Sequence, residues 1–356
     1  MDVAFAAAVP PVQRTAENHR RPPLTGQVAA FGAEGARGSL AGPSDYLALL
    51  KPRVMSLVVF TALAAMIVAP GALHPVLAIT ALICIAVGAG AAGALNQWYD
   101  ADIDAIMTRT RTRPVASGKI GRQEALEFGA TLAAFSVFAM AFLVGYVPAI
   151  LLAATIAFYV FVYTMWLKRS TVQNIVIGGA AGALPPVIGW AAVSGAAFDP
   201  LPWLLFLIIF LWTPPHFWAL ALAGSEDYAR AKVPMLPVVK GSRTTRNQIV
   251  VYTILLAASA VTPYALGFTG LIYAATAAIG SAAFLALSVA LWLAPVDRER
   301  VAALRVFAFS IFYLFALFTA LAAEKLIGLA PAEPTVTKAE QVVKQRLPGA
   351  PPASNW

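Results

Sequence analysis

Charged residues are scarce in this sequence of 356 residues, where Asp, Glu, Lys and Arg make up 12% and hydrophobic residues 60%. A soluble domain carries about 25% charged residues, so the composition excludes an ordinary soluble fold. The mean hydropathy of +0.76 indicates a polytopic membrane protein instead. A single cysteine, Cys84, excludes an internal disulfide framework and a cysteine-based zinc site.

Long apolar runs dominate the chain, and nine of them are long enough to cross a hydrocarbon layer of about 30 Å. They lie near residues 53–70, 76–97, 125–146, 148–167, 172–194, 202–223, 249–268, 270–293 and 302–328. We therefore predict an all-α membrane domain at residues 49–328, with nine transmembrane helices around a central cavity. Residues 1–48 lack a sustained apolar period, and we predict that they form a disordered tail. Residues 329–356 are predicted to form a flexible C-terminal tail.

Basic residues are confined to alternate loops. The loops on the side of the N-terminus hold most of the 25 Lys and Arg residues, whereas the loops of the opposite side hold none. This alternation places the N-terminus and the two large loops, near 98–124 and 224–248, in the cytoplasm. The net charge of +8 thus follows membrane topology and does not indicate nucleic-acid binding. The bilayer is predicted to be a bacterial inner membrane, with the mitochondrial inner membrane as the alternative.

A row of oxygen-bearing side chains ends the second apolar run. Asn96, Asp100 and Asp104 follow one another at intervals of four residues, which places them on one face of a helix, with Asp102 on the opposite face. Such donors suit a hard divalent cation, most simply Mg²⁺. A solvated loop is the simpler alternative, but charges at the edge of a hydrocarbon layer are costly and tend to line functional cavities.

Basic residues follow this row, and acidic and basic residues recur in the second large loop. Arg109 and Arg113 come within a dozen positions of the row, and arginine is suited to binding phosphate or diphosphate. The second loop carries Asp227 and Lys232 and is predicted to lie on the same side of the membrane. The two loops together indicate a site for an anionic group.

The pattern Asn96-x-x-x-Asp100-x-x-x-Asp104 after a second transmembrane helix resembles the first aspartate-rich motif of the UbiA-type intramembrane prenyltransferases. Three further segments are similar to the branch of that family that modifies heme: Met107-x-Arg109-Thr110-x-x-Arg113-Pro114, Pro215-His216-Phe217-Trp218, and Asp227-Tyr228 through Val233-Pro234-Met235-Leu236-Pro237-Val238-Val239. The resemblance covers roughly residues 45–328. It implies a nine-helix fold that uses Mg²⁺ and a polyprenyl diphosphate.

Within that branch, the resemblance implies transfer of a farnesyl group from farnesyl diphosphate to a vinyl group of heme B, giving heme O and diphosphate. The implied metal ligands are Asn96, Asp100, Asp104 and Asp227, and the implied diphosphate-binding residues are Arg109, Arg113 and Lys232. The expected partners are therefore farnesyl diphosphate, heme B and the lipid bilayer, with a downstream heme-modifying enzyme as a further candidate.

The second loop departs from the wider family, whose second motif has two aspartates four residues apart. The residues four positions before and after Asp227 are Ala223 and Ala231. Glu226 is the neighbouring acid, and Lys232 lies close by. Whether this loop holds its own metal or mainly binds diphosphate is left open by the sequence.

Three other side chains have competing interpretations. His216 stands amid proline and tryptophan near the predicted site, where it would ligate heme iron, bind a propionate or serve as a structural histidine. Lys168 and Arg169 follow the fourth apolar run, and pairing with lipid headgroups is the simplest role for them.

Two other functions compete with the farnesylation of heme. One is a UbiA-type prenyltransferase that acts on another aromatic or quinone-precursor acceptor. The other is a secondary transporter, since transporters also carry charges near broken helices. Transporters place those charges near the midplane, whereas the apolar runs of this chain carry almost none. The charge distribution therefore favours chemistry at a cytoplasmic mouth.

Overall fold

The computed structural model describes residues 41–331, and every regular element in that part of the chain is helical. The helices are α1 (Pro43–Leu49), α2 (Pro52–Val68), α3 (Pro75–Tyr99), α4 (Ala101–Ile106), α5 (Arg122–Leu143), α6 (Tyr146–Ser170), α7 (Asn174–Ser194), α8 (Pro200–Ala223), α9 (Ser225–Arg230), α10 (Leu236–Ala265), α11 (Leu271–Leu293) and α12 (Glu299–Leu326). A π-helical stretch, Phe158–Leu167, forms the second half of α6. A single 3₁₀ turn, Val296–Arg298, leads into α12.

Eight helices of the described part are long and apolar enough to cross a membrane. The pair α1 and α2, bent by 54°, provides a ninth candidate. The predicted all-α polytopic architecture is therefore confirmed, and most helices begin and end within about three residues of their apolar runs. The central cavity remains a prediction.

The predicted start of the seventh transmembrane helix, residue 249, is wrong. The corresponding helix, α10, begins at Leu236 and contains a kink at Gly241, whose φ of 79° is left-handed. Glycine adopts that conformation at no steric cost. The first part of α10 is polar and extends beyond the apolar layer. The apolar run in the sequence indicates only the part of the helix that lies within that layer.

The folded region also begins earlier than residue 49, the predicted boundary. Helix α1 starts with Pro43, and the backbone N–H of Gly42 donates to Asp45 Oδ2 at 3.2 Å. Leu49 at the end of α1 is fully buried against Ala94 and Ile120. The remainder of the two predicted tails, residues 1–40 and 332–356, lies outside the described residues.

Besides the small cluster around Leu49, two large hydrophobic cores hold the helices together. The larger is built mainly from α8, α10, α11 and α12, and the smaller mainly from α3, α5 and α6, with α2 and α7 contributing to both. Close approach of α7 to its neighbours depends on glycine. A Cβ on Gly189 would lie 2.5 Å from the Ala62 carbonyl oxygen, and one on Gly178 would lie 2.2 Å from the Tyr163 ring. Small residues at such contacts are typical of membrane helix packing.

One buried carboxylate fastens α12 to the start of α11. Glu324 is 1% exposed and accepts hydrogen bonds from the backbone N–H groups of Gly270, Ile272 and Tyr273 at 2.7, 2.6 and 3.0 Å. These are N–H groups at a helix N-terminus, which have no partners within the helix and carry partial positive charge. The carboxylate therefore stabilises the α11–α12 pair on the face of the protein away from the charged loops.

Glu324→Gln is expected to lower the free energy of unfolding by about 3 kcal/mol, because it weakens charge-assisted hydrogen bonds and turns an amide N–H₂ toward backbone donors. Unfolding of the purified protein in detergent measures the loss. The matched control is Lys325→Gln at the exposed neighbouring position, which should change stability by less than about 0.5 kcal/mol. Equal stability of the two variants would contradict the capping role.

Candidate active site

Asn96, Asp100 and Asp104 form a continuous row although a helix break falls inside it. Asp100 separates α3 from α4 with φ −88° and ψ 10°. Its N–H still donates to the Asn96 carbonyl at 2.9 Å, and the Asp104 N–H donates to the Asp100 carbonyl at 2.8 Å. The chain thus keeps helical spacing through the break. All three side chains are buried, whereas Asp102 is 56% exposed, so the predicted separation of Asp102 from the buried row is confirmed.

Among the acidic residues that the structure describes, Asp100 is the most enclosed, with 0% exposure. Its Oδ2 accepts a hydrogen bond from Asn96 Nδ2 at 2.7 Å and forms an ion pair with Lys168, while Arg169 lies 3.5 Å from Oδ1. Asn96 Nδ2 also donates to Thr164 Oγ1 at 3.1 Å. A buried carboxylate needs such partners to stay charged, and α6 provides most of them.

Two further basic side chains complete this cluster. Arg113 pairs with Asp104 at 2.7 Å, and Lys51 Nζ donates to Asn96 Oδ1 at 2.8 Å. Lys51 lies at the bend between α1 and α2 with a left-handed φ of 54°. Each buried carboxylate of the row therefore has its own basic partner, and the cluster combines hard oxygen donors with Lys and Arg side chains.

The structure corrects the headgroup role expected for Lys168 and Arg169. The Lys168 side chain is only 15% exposed and pairs with Asp100, and Arg169 donates to both carboxylate oxygens of Asp102 at 2.8 and 2.9 Å. The π-helical stretch directs Thr164 and Lys168 toward α3, and π-helical turns are frequent at functional sites.

The two large loops touch each other at one end of the helix bundle, which confirms that they share a side. Thr108 Oγ1 donates to Asp227 Oδ1 at 2.9 Å, Arg230 pairs with Asp227, and Arg109 donates to the Tyr228 hydroxyl at 3.3 Å. Desolvation acts to raise the pKa of Asp227, but hydrogen bonds from Thr108 and Arg230 outweigh it and lower the pKa below its ordinary value. Asp227 is therefore ionised at neutral pH.

Asp227 and Lys232 do not join the row directly. Within residues 41–331, no group of three or more His, Cys, Asp and Glu side chains is placed to hold a metal ion. Lys232 is exposed, has a left-handed φ of 53°, and its side chain contacts no described acidic residue closely enough to form a salt bridge. The roles of Asp227 in binding metal and of Lys232 in binding diphosphate remain predictions.

His216 lies apart from the charged cluster, seven residues before the end of α8. It is 8% exposed, and its Nδ1 lies 2.6 Å from Ser310 Oγ in α12. The ring stacks between Trp212 and Phe307, at centroid distances of 4.2 and 4.6 Å. The surroundings are those of a firmly packed histidine, and ligation of heme iron remains a prediction.

The geometry of this charged cluster defines a class of protein. A cluster of paired carboxylates and cations lies where several membrane helices end, next to apolar helix surfaces. Such a site suits a substrate with an anionic headgroup and a long apolar remainder. It belongs to an integral membrane protein that handles an amphiphilic phosphate or diphosphate.

Comparison with known families identifies that class. The sequence model of the UbiA prenyltransferase family matches residues 57–323, and the chain belongs to this family. Solved structures share the fold. Digeranylgeranylglyceryl phosphate synthase aligns over 79% of this chain and 98% of its own, with TM-score 0.65 and 18% identity. A UbiA homologue from Archaeoglobus fulgidus bound to GPP and Mg²⁺ aligns over 78% and 99%, with TM-score 0.55 and 16% identity.

Closer relatives carry a more particular name. Protoheme IX farnesyltransferase of Rhodopseudomonas palustris (strain BisB5) is 60% identical over 293 residues, which is 81% of this chain and 92% of the relative. The protein of the same name from Parvibaculum lavamentivorans is 57% identical over 303 residues, covering 85% and 93%. These alignments cover more than four-fifths of this chain and more than nine-tenths of each relative.

Proposed function

We propose that this chain transfers the farnesyl group of farnesyl diphosphate to a vinyl group of heme B, giving heme O and diphosphate. The observation that carries the proposal is the identity of 57–60% to bacterial protoheme IX farnesyltransferases over more than nine-tenths of their length. The paired cluster of Asp100, Asp104 and their cations supports it, because it can bind a diphosphate at the end of an apolar helix bundle.

Ionisation of farnesyl diphosphate is the step that needs the cations. The C–O bond to the diphosphate breaks with both electrons on the departing oxygen, leaving an allylic cation. Preorganised positive charge stabilises the negative charge that develops there. Arg113 and Lys168 are placed to supply it, since each already contacts a carboxylate of the row. Lys51, Arg109 and Lys232 would extend this positive surface along the diphosphate.

The row also fits Mg²⁺, because its buried donors are the hard oxygens of Asn96, Asp100 and Asp104. The Archaeoglobus fulgidus homologue is described as bound to GPP and Mg²⁺. When bound, Mg²⁺ supplies Lewis-acid charge that stabilises the departing diphosphate. Asp227 is the candidate additional ligand, and reaching the row would require release of its contacts with Thr108 and Arg230.

The acceptor then reacts with the allylic cation. The heme vinyl group supplies the electron pair for the new C–C bond, and the positive charge moves to the carbon attached to the porphyrin ring. A water oxygen bonds to that carbon and releases one proton, which leaves a hydroxyethylfarnesyl substituent. The apolar bundle would exclude water from the first cation until the C–C bond has formed. His216 is the candidate ligand for the heme iron.

The cellular setting follows from topology and from the relatives. The eight to nine spans place the protein in a membrane, and the relatives are bacterial, so we place it in the bacterial inner membrane. The alternation of Lys and Arg supports a cytoplasmic location for the charged loops and for the proposed active site. A downstream enzyme that modifies heme O further is the expected partner.

Expression of the chain in cells that lack heme O tests the proposal. Mass spectrometry of the extracted hemes is expected to show a species heavier than heme B by one farnesyl group plus water, dependent on the chain. The same membranes supplied with 4-hydroxybenzoate test the competing acceptor class. A prenylated benzoate without heme O would assign the chain to another branch of the family, and substrate flux without any prenylated product would indicate a transporter.

A further inference from the structure

Ser310 determines where the proton sits on His216. Its Oγ lies 2.6 Å from the Phe307 carbonyl oxygen and 2.6 Å from His216 Nδ1. Polar atoms this close need a proton between them. The serine hydroxyl has one proton, and the Phe307 carbonyl has none to offer. The hydroxyl therefore donates to Phe307, and His216 Nδ1–H donates to Ser310 Oγ.

A neutral histidine protonated at Nδ1 has a free lone pair on Nε2. Among residues 41–331, no group is hydrogen-bonded to His216 Nε2, and this atom is not among the polar side-chain atoms that are sealed from solvent without a partner. The side chain is 8% exposed. Nε2 is thus an accessible base on a ring whose other nitrogen is already occupied.

The ring is also held against rotation. Trp212 and Phe307 stack on its two faces, with interplanar angles of 19° and 28°. Trp212 Nε1 in turn donates to the Ser310 carbonyl at 2.7 Å, so Trp212 and His216 of α8 both bond to Ser310 of α12. A ring flip would place a carbon against Ser310 Oγ and lose the hydrogen bond. The edge that carries Nε2 therefore has one orientation.

A mainly apolar groove lies beside one of the two stacked rings. Phe307, which stacks on His216, also lines a groove of about 480 Å³ between α2 and α12, together with Phe60, Ile311 and Phe315. A neutral imidazole Nε2 is a common ligand of iron. A hydrogen bond from the other ring nitrogen fixes the tautomer and raises the basicity of such a ligand.

We propose that Ser310 is a positioning residue that holds His216 in the Nδ1–H tautomer, so that Nε2 ligates the iron of the porphyrin substrate. This inference rests on the proposed function, in which an iron porphyrin is the acceptor. It adds the ligating atom, its protonation state and the residue that sets both.

Paired titrations with heme B and with metal-free protoporphyrin IX test the proposal on the purified full chain. Both ligands share the macrocycle and its vinyl groups, but only heme B has an iron to ligate. Ser310→Ala is expected to weaken heme B binding about tenfold and to leave protoporphyrin IX binding within about twofold of wild type, because only the ligand bond depends on the tautomer. Absorption spectra of the heme complexes should change in parallel.

His216→Asn gives a second variant should Ser310→Ala fail to fold. The asparagine amide can still donate to Ser310 Oγ, but it has no atom at the position of Nε2. It should lose at least as much heme B affinity as Ser310→Ala and bind protoporphyrin IX normally. Equal loss for both ligands, or no loss for either, would show a packing role and overturn the inference.

Heme O formation by the same samples separates this inference from the proposed function. A wild-type protein that makes heme O, with unchanged heme spectra in His216→Asn, overturns the ligation alone. A wild-type protein that binds heme B through His216 but makes no heme O supports the ligation and removes the proposed transfer reaction.

Discussion

Replacing Asp100 by asparagine is expected to reduce heme O formation about a thousandfold, since loss of one preorganised electrostatic group at a reacting centre costs about 10²–10³ in rate. The substitution keeps the size of the side chain and removes its charge. Asp100 is fully buried and bonded to Asn96 and Lys168, so no solvent or neighbouring acid can replace it. Initial rates of heme O formation at varied Mg²⁺ concentration measure the effect, and a higher Mg²⁺ requirement should accompany the loss.

Asp102→Asn is the matched control two residues along the same segment. Its side chain is 56% exposed and pairs with Arg169, and exposed ion pairs contribute little. Its activity is expected to stay within about threefold of wild type because it lies off the buried face. Equal losses at the two positions would mean that general surface charge, and not the row, governs turnover.

Helical spacing was enough to predict which of these acids share a face. The interval of four residues identifies Asn96, Asp100 and Asp104 and excludes Asp102, and the burial pattern agrees. The reason is physical: local hydrogen bonds set the spacing, and these bonds persist through the break at Asp100. No tertiary information is needed for that part of the site.

The partners of the row could not be predicted in the same way. Lys51 and Lys168 lie far from Asn96 and Asp100 in sequence. The position of each lysine beside the row depends on how a separate helix packs. For Lys168 the direction of the side chain depends on the π-helical turns of Phe158–Leu167, whereas apolar periodicity assumes α-helical geometry. A lysine at the end of an apolar run therefore has the same sequence signal whether it faces lipid or the site.

The first and last residues of the helices were also only partly predictable from the sequence. Hydropathy identifies the segments that lie in the apolar layer. It therefore predicts the end of a helix correctly wherever the helix stops at the edge of that layer. The helix α10 starts at Leu236 and the folded region at Pro43, both beyond the apolar runs. In both cases polar or short helical segments are stabilised by contacts between loops and helices, which composition does not reveal.

Lys168→Met is expected to lower kcat/KM for farnesyl diphosphate about a hundredfold, because it removes positive charge from the place where diphosphate charge develops. Methionine keeps the length of the apolar stem, so packing of α6 is retained. Turnover assays at varied farnesyl diphosphate concentration measure the loss. Lys119→Met is the control, since Lys119 is 59% exposed and pairs with Asp45 of α1. A lipid-facing role for Lys168 predicts equal activity for the two variants.

The double variant Asp100→Asn with Lys168→Met separates stability from catalysis. Asp100→Asn leaves Lys168 without its carboxylate, and Lys168→Met leaves Asp100 with only the longer contact to Arg169 at 3.5 Å. Each loss is expected to cost up to about 3 kcal/mol in unfolding free energy. The double variant removes both charges and should be more stable than the sum of the two losses predicts. Its activity should nevertheless stay at or below that of the weaker single variant, because neither the metal ligand nor the cation is restored. Recovery of activity together with stability would show that the pair only supports the fold, and the catalytic roles of both residues would then be withdrawn.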